Sequence, residues 1–117
     1  MKSGTDLIND AKSRITEISA GEALDAQRTG GITFLDVRDQ QEVNLGKVPG
    51  AVHISRGTLE TKIEGAISRD AAIVVYCASG NRSALVADTM QQMGYLKVRS
   101  LSGGFRAWAE AGGDIDG

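Results

Sequence analysis

Residues Ala71–Tyr76 read AAIVVY, an almost unbroken apolar run of strand length that is rich in β-branched side chains. A strand with one wet face alternates between apolar and polar, whereas a continuous apolar strand must be covered on both faces, as parallel sheets between two helical layers are. This run alone therefore asks for a three-layer α/β arrangement with Ala71–Tyr76 at the centre of the sheet. Further strand-length segments lie at Arg14–Ile18, Ile32–Val37, Ala51–Ile54 and Lys97–Leu101. Helix-like stretches separate them, which is the pattern of βαβ units.

The helical stretches carry their own punctuation. Ser19-Ala-Gly-Glu22 reads as a capping box that opens a helix through about Arg28, and Gly30-Gly31 stops it. A second helix is expected over Arg82–Met93, with Ala84, Leu85, Ala87, Met90 and Met93 available to an inner face and Gly94 as its end. A third begins after Gly103-Gly104, where Phe105 and Trp108, spaced i and i+3, are read as core anchors. Lys2–Lys12 brings Leu7, Ile8 and Ala11 to one face, so this stretch either folds as an amphipathic helix or frays as a terminus. Residues 1–14 are thus read as an N-terminal extension and residues 15–117 as one domain, the number of domains that this length suits.

Composition excludes several function classes. A net charge of -2 with both signs interspersed lacks the footprint of a nucleic-acid or membrane-surface binder. No apolar run approaches the roughly 18 residues of a membrane span, and Met1–Arg14 has no apolar leader core, so an unexported, cytoplasmic protein is expected. With 1 Cys and 1 His there is no internal disulfide and no cluster at metal-ligand spacing, so neither metal nor cofactor is expected. Cys77 is then either packing or a nucleophile.

Its neighbourhood decides between the two. Cys77-Ala78-Ser79-Gly80-Asn81-Arg82-Ser83 follows the buried strand and runs straight into a helix. Sites in open parallel sheets lie beyond the carboxyl ends of the strands, where helix N-termini aim unpaired N–H groups at the loop. Gly80 supplies the backbone freedom that a concave nest of N–H groups needs. An anion is solvated there, and about 1–2 kcal/mol of such stabilisation lowers a thiol by roughly one pKa unit, enough to populate the reactive thiolate near neutrality. Arg82 adds a permanent positive charge. Taken singly, each feature has a bland account: a strand end, a turn glycine, a solvated arginine. Together they describe an activated thiol.

The loop CASGNRS resembles the CxxGxRS active-site loop of the rhodanese homology family. The stretches LDVR at Leu35–Arg38, GKVPGAVHI at Gly46–Ile54 and LSGGFRAW at Leu101–Trp108 are similar to that family's recurrent segments, in the same order. The resemblance spans about Ile15 to Gly113. It implies an α/β, rhodanese-like three-layer fold, a five-stranded parallel sheet flanked by helices. It also implies a sulfurtransferase in which Cys77 takes a sulfane sulfur from a donor such as thiosulfate and passes it to a thiophilic acceptor, cyanide or a thiol. The loop residues Ala78, Ser79, Gly80, Asn81, Arg82 and Ser83 would cradle the anion and the persulfide. A protein persulfide is a further conceivable partner, and nothing in the loop selects the donor.

Asp36 and Arg38, at the end of the second strand, are read through the resemblance as braces of the loop; the bland account is a turn cap and an Arg38–Glu42 surface pair. Arg56, just past the third strand, is a candidate to attract an anionic donor or else a solvated cation. His53 reads as a packed structural histidine rather than a base. Lys47 stands where the family often has His, and Pro49-Gly50 preserves the turn. Two other readings compete with sulfur transfer. A non-enzymatic sulfur-sensing or protein-interaction module is one. A Cys-dependent phosphatase or arsenate reductase is the other, disfavoured because phosphatases of this fold have one more residue between Cys and Arg.

Overall fold

The computed structural model describes residues 1–117. Its strands are β1 (Thr16–Ile18), β2 (Ile32–Asp36), β3 (Val52–His53), β4 (Ala72–Tyr76) and β5 (Val98–Leu101), and its helices are α1 (Gly4–Arg14), α2 (Ala20–Thr29), α3 (Gln40–Asn44), α4 (Leu59–Ala66), α5 (Asn81–Gln92) and α6 (Gly104–Glu110). The strands form one sheet in the order β1-β5-β4-β2-β3, with every pairing parallel. The apolar strand β4 is at the centre, as its composition requires. Its register sets Leu35 beside Val75 and Asp36 beside Tyr76, which brings the end of β2 level with the start of the loop at Cys77.

The two sides of the sheet are separate cores. Ile73, Val75 and Cys77 point to the side covered by α4 and α5, where Leu59, Ile63, Val86, Ala87 and Met90 pack. Val74 and Tyr76 point to the other side, with Ala23 of α2 and Trp108 of α6. Period-2 alternation within β4 thus feeds both layers, and because both are apolar the sequence shows no alternation at all.

Several boundaries differ from the sequence expectations. Arg14 ends α1 instead of opening β1, because Ser3 and Asp6 form a capping box that starts a helix of 11 residues. Ala11 of that helix is completely buried, and Arg14 pairs in bidentate fashion with Asp88 of α5 at 3.0 and 2.8 Å. The N-terminal stretch is therefore folded, not frayed. Asn81, not Arg82, opens α5, and β3 shortens to Val52–His53. Two helices, α3 and α4, and a 3-10 turn at Arg56–Thr58 were not anticipated. No helix is long and apolar enough to cross a membrane.

Candidate active site

The chain leaves β4 at Cys77 and enters α5 at Asn81, so the loop between them is short and tightly curled. Gly80 holds φ at +97°, in the left-handed region open to glycine, and this turns its own N–H inward. That N–H donates to Cys77 Sγ at 3.0 Å, the Ser83 N–H donates at 3.4 Å, and Ser83 Oγ lies 3.5 Å from the sulfur. Cys77 itself is buried. Burial pushes the Cys77 thiol up, but the hydroxyl of Ser83 and the N–H groups of Ser83, Gly80 and Ser79 outweigh it and hold the thiol below its ordinary value.

A second hydroxyl stands behind the first. Ser100 of β5 is fully buried and its Oγ is 2.8 Å from Ser83 Oγ. When Ser83 donates to the thiolate its single hydrogen is committed, so Ser100 must donate to Ser83, and the three groups form a chain ending on sulfur. Sequence reasoning passed over Ser100. A polar residue at an inward position of a buried strand was the available signal.

The loop is also held from outside. At the start of α6 the Phe105 N–H donates to Cys77 O at 2.8 Å and the Arg106 N–H to Ala78 O at 3.2 Å. Gly104, with φ at +61°, lies so close to the loop that a Cβ there would stand 2.5 Å from Cys77 O and 2.6 Å from Ala78 C. Two carbonyls that could otherwise face the sulfur are thereby turned away, which leaves an N–H-lined concavity.

Asp36 and Arg38 form a buried ion pair, Nε to Oδ1 at 3.0 Å and Nη2 to Oδ2 at 2.8 Å. Arg38 further donates to Gly46 O at 2.6 Å, and its guanidinium carbon lies 4.2 Å from the centroid of the Phe105 ring. Neither residue hydrogen-bonds the sulfur. Arg38 instead joins the end of β2, the Gly46 turn and the start of α6, and it forms part of the cavity wall beside Cys77. Burial and the Asp36 carboxylate push the Tyr76 phenol well up, so it stays neutral and receives the Val48 N–H at 3.1 Å.

The cavity over Cys77 measures about 430 Å³ and takes in Ala78, Ser79, Asn81 and Arg82 of the loop, Asp39 and Glu42 around α3, and Ile8 of α1. Arg82 is exposed on this wall and makes no hydrogen bond to Sγ; the groups around the sulfur are N–H and O–H donors, and the arginine lines the cavity. Arg56 does not line the cavity and is engaged by Glu60 at 3.2 Å, so the structure does not bring it to the site. His53 Nε2 donates to Arg38 O at 2.8 Å, a packed role. Lys47 instead pairs its backbone with Asp116 in an antiparallel bridge.

Residues 19–111 match the family profile described as Rhodanese-like domain, which is most of the chain. The chain belongs to the rhodanese-like domain family. This rhodanese-like chain is 33% identical over 96 residues to a thiosulfate sulfurtransferase, GlpE, from Tolumonas auensis, a match covering 82% of the chain and 90% of that protein. Among solved structures, a rhodanese-related protein from Thermoplasma volcanium is 30% identical with a TM-score of 0.79, covering 86% of this chain and 97% of that one. A protein from Rhodopseudomonas palustris, described as a possible tyrosine phosphatase, is 33% identical with a TM-score of 0.91 and covers 99% of this chain and 96% of that one. That last match takes in α1, which lies before the residues of the family profile.

Proposed function

We propose that this rhodanese-like protein is a sulfurtransferase that carries a sulfane sulfur as a persulfide on Cys77. The observation that carries the reading is the sulfur held at the focus of the Gly80 and Ser83 N–H groups, with the Ser83 hydroxyl behind it. The likeness to a thiosulfate sulfurtransferase points the same way. In the first half-reaction the Cys77 thiolate attacks the outer sulfur of a donor such as thiosulfate. The new S–S bond forms as the donor's own breaks, and sulfite leaves with the electron pair. In the second, an acceptor nucleophile attacks the terminal sulfur; cyanide becomes thiocyanate, or a thiol becomes a persulfide, and the Cys77 thiolate is restored. The reaction needs no obligatory base once the thiolate exists, and two half-reactions through a covalent enzyme give ping-pong kinetics.

With a single cysteine in the chain no internal thiol can discharge the persulfide. Incubation with thiosulfate followed by removal of the donor should therefore leave an intact protein one sulfur atom heavier, stable until cyanide, sulfite or a thiol is added, and then lost with stoichiometric formation of the sulfurated acceptor. The control is an aryl phosphate. Hydrolysis of it at Cys77, with no heavier species from any sulfane donor, would replace this reading with a phosphatase.

A further inference from the structure

The cavity over Cys77 is larger and less uniformly cationic than an inorganic donor needs. Thiosulfate, with few heavy atoms, occupies roughly 100–150 Å³ at the water-like packing of about 30 Å³ per heavy atom, whereas the cavity measures about 430 Å³. Its wall is also mixed: Asp39 and Glu42 face the same space as Arg82 and Arg38, and the charge of Arg38 is already matched by Asp36. A compact dianion meets two carboxylates as well as the guanidinium groups, and it leaves most of the space to water. The apolar contribution comes from an unusual place. Ile8 belongs to α1, before residues 19–111 that match the family profile, and it is the large aliphatic side chain of the cavity wall.

Ile8 is held there by a docked helix. Ala11, one turn further on, is fully buried, Lys12 Nζ reaches Asn81 Oδ1 of the active loop at 3.4 Å, and Arg14 clasps Asp88 while its carbonyl accepts from Gln91 Nε2 at 2.9 Å. The position of Ile8 relative to Cys77 is therefore fixed by contacts at both ends of α5. A half-buried isoleucine beside a reacting sulfur gives an apolar group something to rest on.

From these observations we propose that α1 is a specificity element, and that Ile8 selects a thiosulfonate, a sulfur donor bearing an organic substituent, over inorganic thiosulfate. The inference rests on the sulfurtransferase reading above. With a thiosulfonate R–SO2–S⁻ the Cys77 thiolate bonds to the outer sulfur, the S–S bond of the donor breaks, and the sulfinate R–SO2⁻ leaves with the electron pair. No oxidant or reductant is consumed. The donor carries one negative charge where thiosulfate carries two, and R lies against Ile8.

The test compares benzenethiosulfonate with thiosulfate as donors to the full-length protein, cyanide being the acceptor in both cases. The wild-type kcat/KM should favour benzenethiosulfonate. Ile8→Ala should lower the ratio of the two kcat/KM values by about fivefold, the loss expected when an aryl ring gives up contact with one or two methylene equivalents, with the change residing in KM for the aromatic donor. Ile8→Leu should restore the ratio. Leu7→Ala, on the exposed side of the same helix, should leave it where it was, which separates wall contact from helix stability. Equal effects of Ile8→Ala on both donors, or a wild-type preference for thiosulfate, would overturn the specificity role while leaving sulfur transfer standing. Failure of every donor to load Cys77 would overturn both.

Discussion

At the scale of single residues the proposed chemistry depends on one sulfur and the hydrogens aimed at it. Cys77→Ser should abolish sulfur transfer and leave the fold intact, because a hydroxyl without an activating base is a poor nucleophile; turnover above background would end the covalent mechanism. Ser83→Ala removes the hydroxyl 3.5 Å from Sγ. Loss of a hydrogen bond to a charged sulfur, about 1 kcal/mol, should slow alkylation of Cys77 near neutrality roughly fivefold while leaving the high-pH plateau unchanged. Rates measured across pH with a neutral alkylating reagent decide this. The lowered thiol also bears on stability, with a defined sign. The folded state favours the thiolate, so the stability it contributes is fully present above the ordinary thiol value of about 8.5 and is lost as pH falls through the folded value. Denaturant midpoints of Cys77→Ala should show less of this rise than the wild type.

At the scale of elements, the active loop is shaped by a helix that contributes nothing to the chemistry. The first turn of α6 takes up the carbonyls of Cys77 and Ala78, and Gly104 permits that approach. Gly104→Ala must move Cys77 O or the helix, in a backbone conformation with φ at +61° that disfavours side chains. Overpacking and positive-φ strain together amount to about 2–5 kcal/mol. Urea denaturation should show that loss, and persulfide loading should slow with it. This role was half legible. Gly103-Gly104 signals a sharp turn in the sequence, but the object the turn approaches is 27 positions earlier in the chain, a pairing that only β4 and β5 lying side by side can make. The helices α3 and α4 escaped the sequence reading for different reasons. α3 has 5 residues and no buried side chain, so no apolar stripe marks it. Leu59 and Ile63 do mark α4, i and i+4, but its turn from the 3-10 segment carries no capping side chain.

For the molecule as a whole, the two cores lie on opposite faces of one sheet, and Arg38 ties the sheet to the loops around its carboxyl edge. Arg38→Ala strands the fully buried Asp36 carboxylate, and removal of one member of a buried pair costs about 3–5 kcal/mol. Asp36→Asn together with Arg38→Met should cost less than Arg38→Ala alone, which a comparison of denaturation midpoints checks. Because β4 supplies both cores, neither layer can be lost without the other. Trp108 reports from one face and far-UV circular dichroism from all the helices. Their urea transitions should coincide; separate transitions would show α1 or one layer melting independently.

What the sequence determined by itself follows from local physics. The apolar run of β4 demanded a central strand, the Ser19 capping box placed α2, and Cys77 with Gly80 between a strand and a helix marked the candidate site. Each is a statement about neighbours along the chain, where propensity, capping and periodicity act. The tertiary structure alone decided that Ser100 stands behind Ser83 and that Ile8 of the first helix walls the site beside Cys77. These contacts join residues far apart in the chain. They depend on strand order and helix docking, which are fixed by the burial of both sheet faces at once, and no local pattern encodes that.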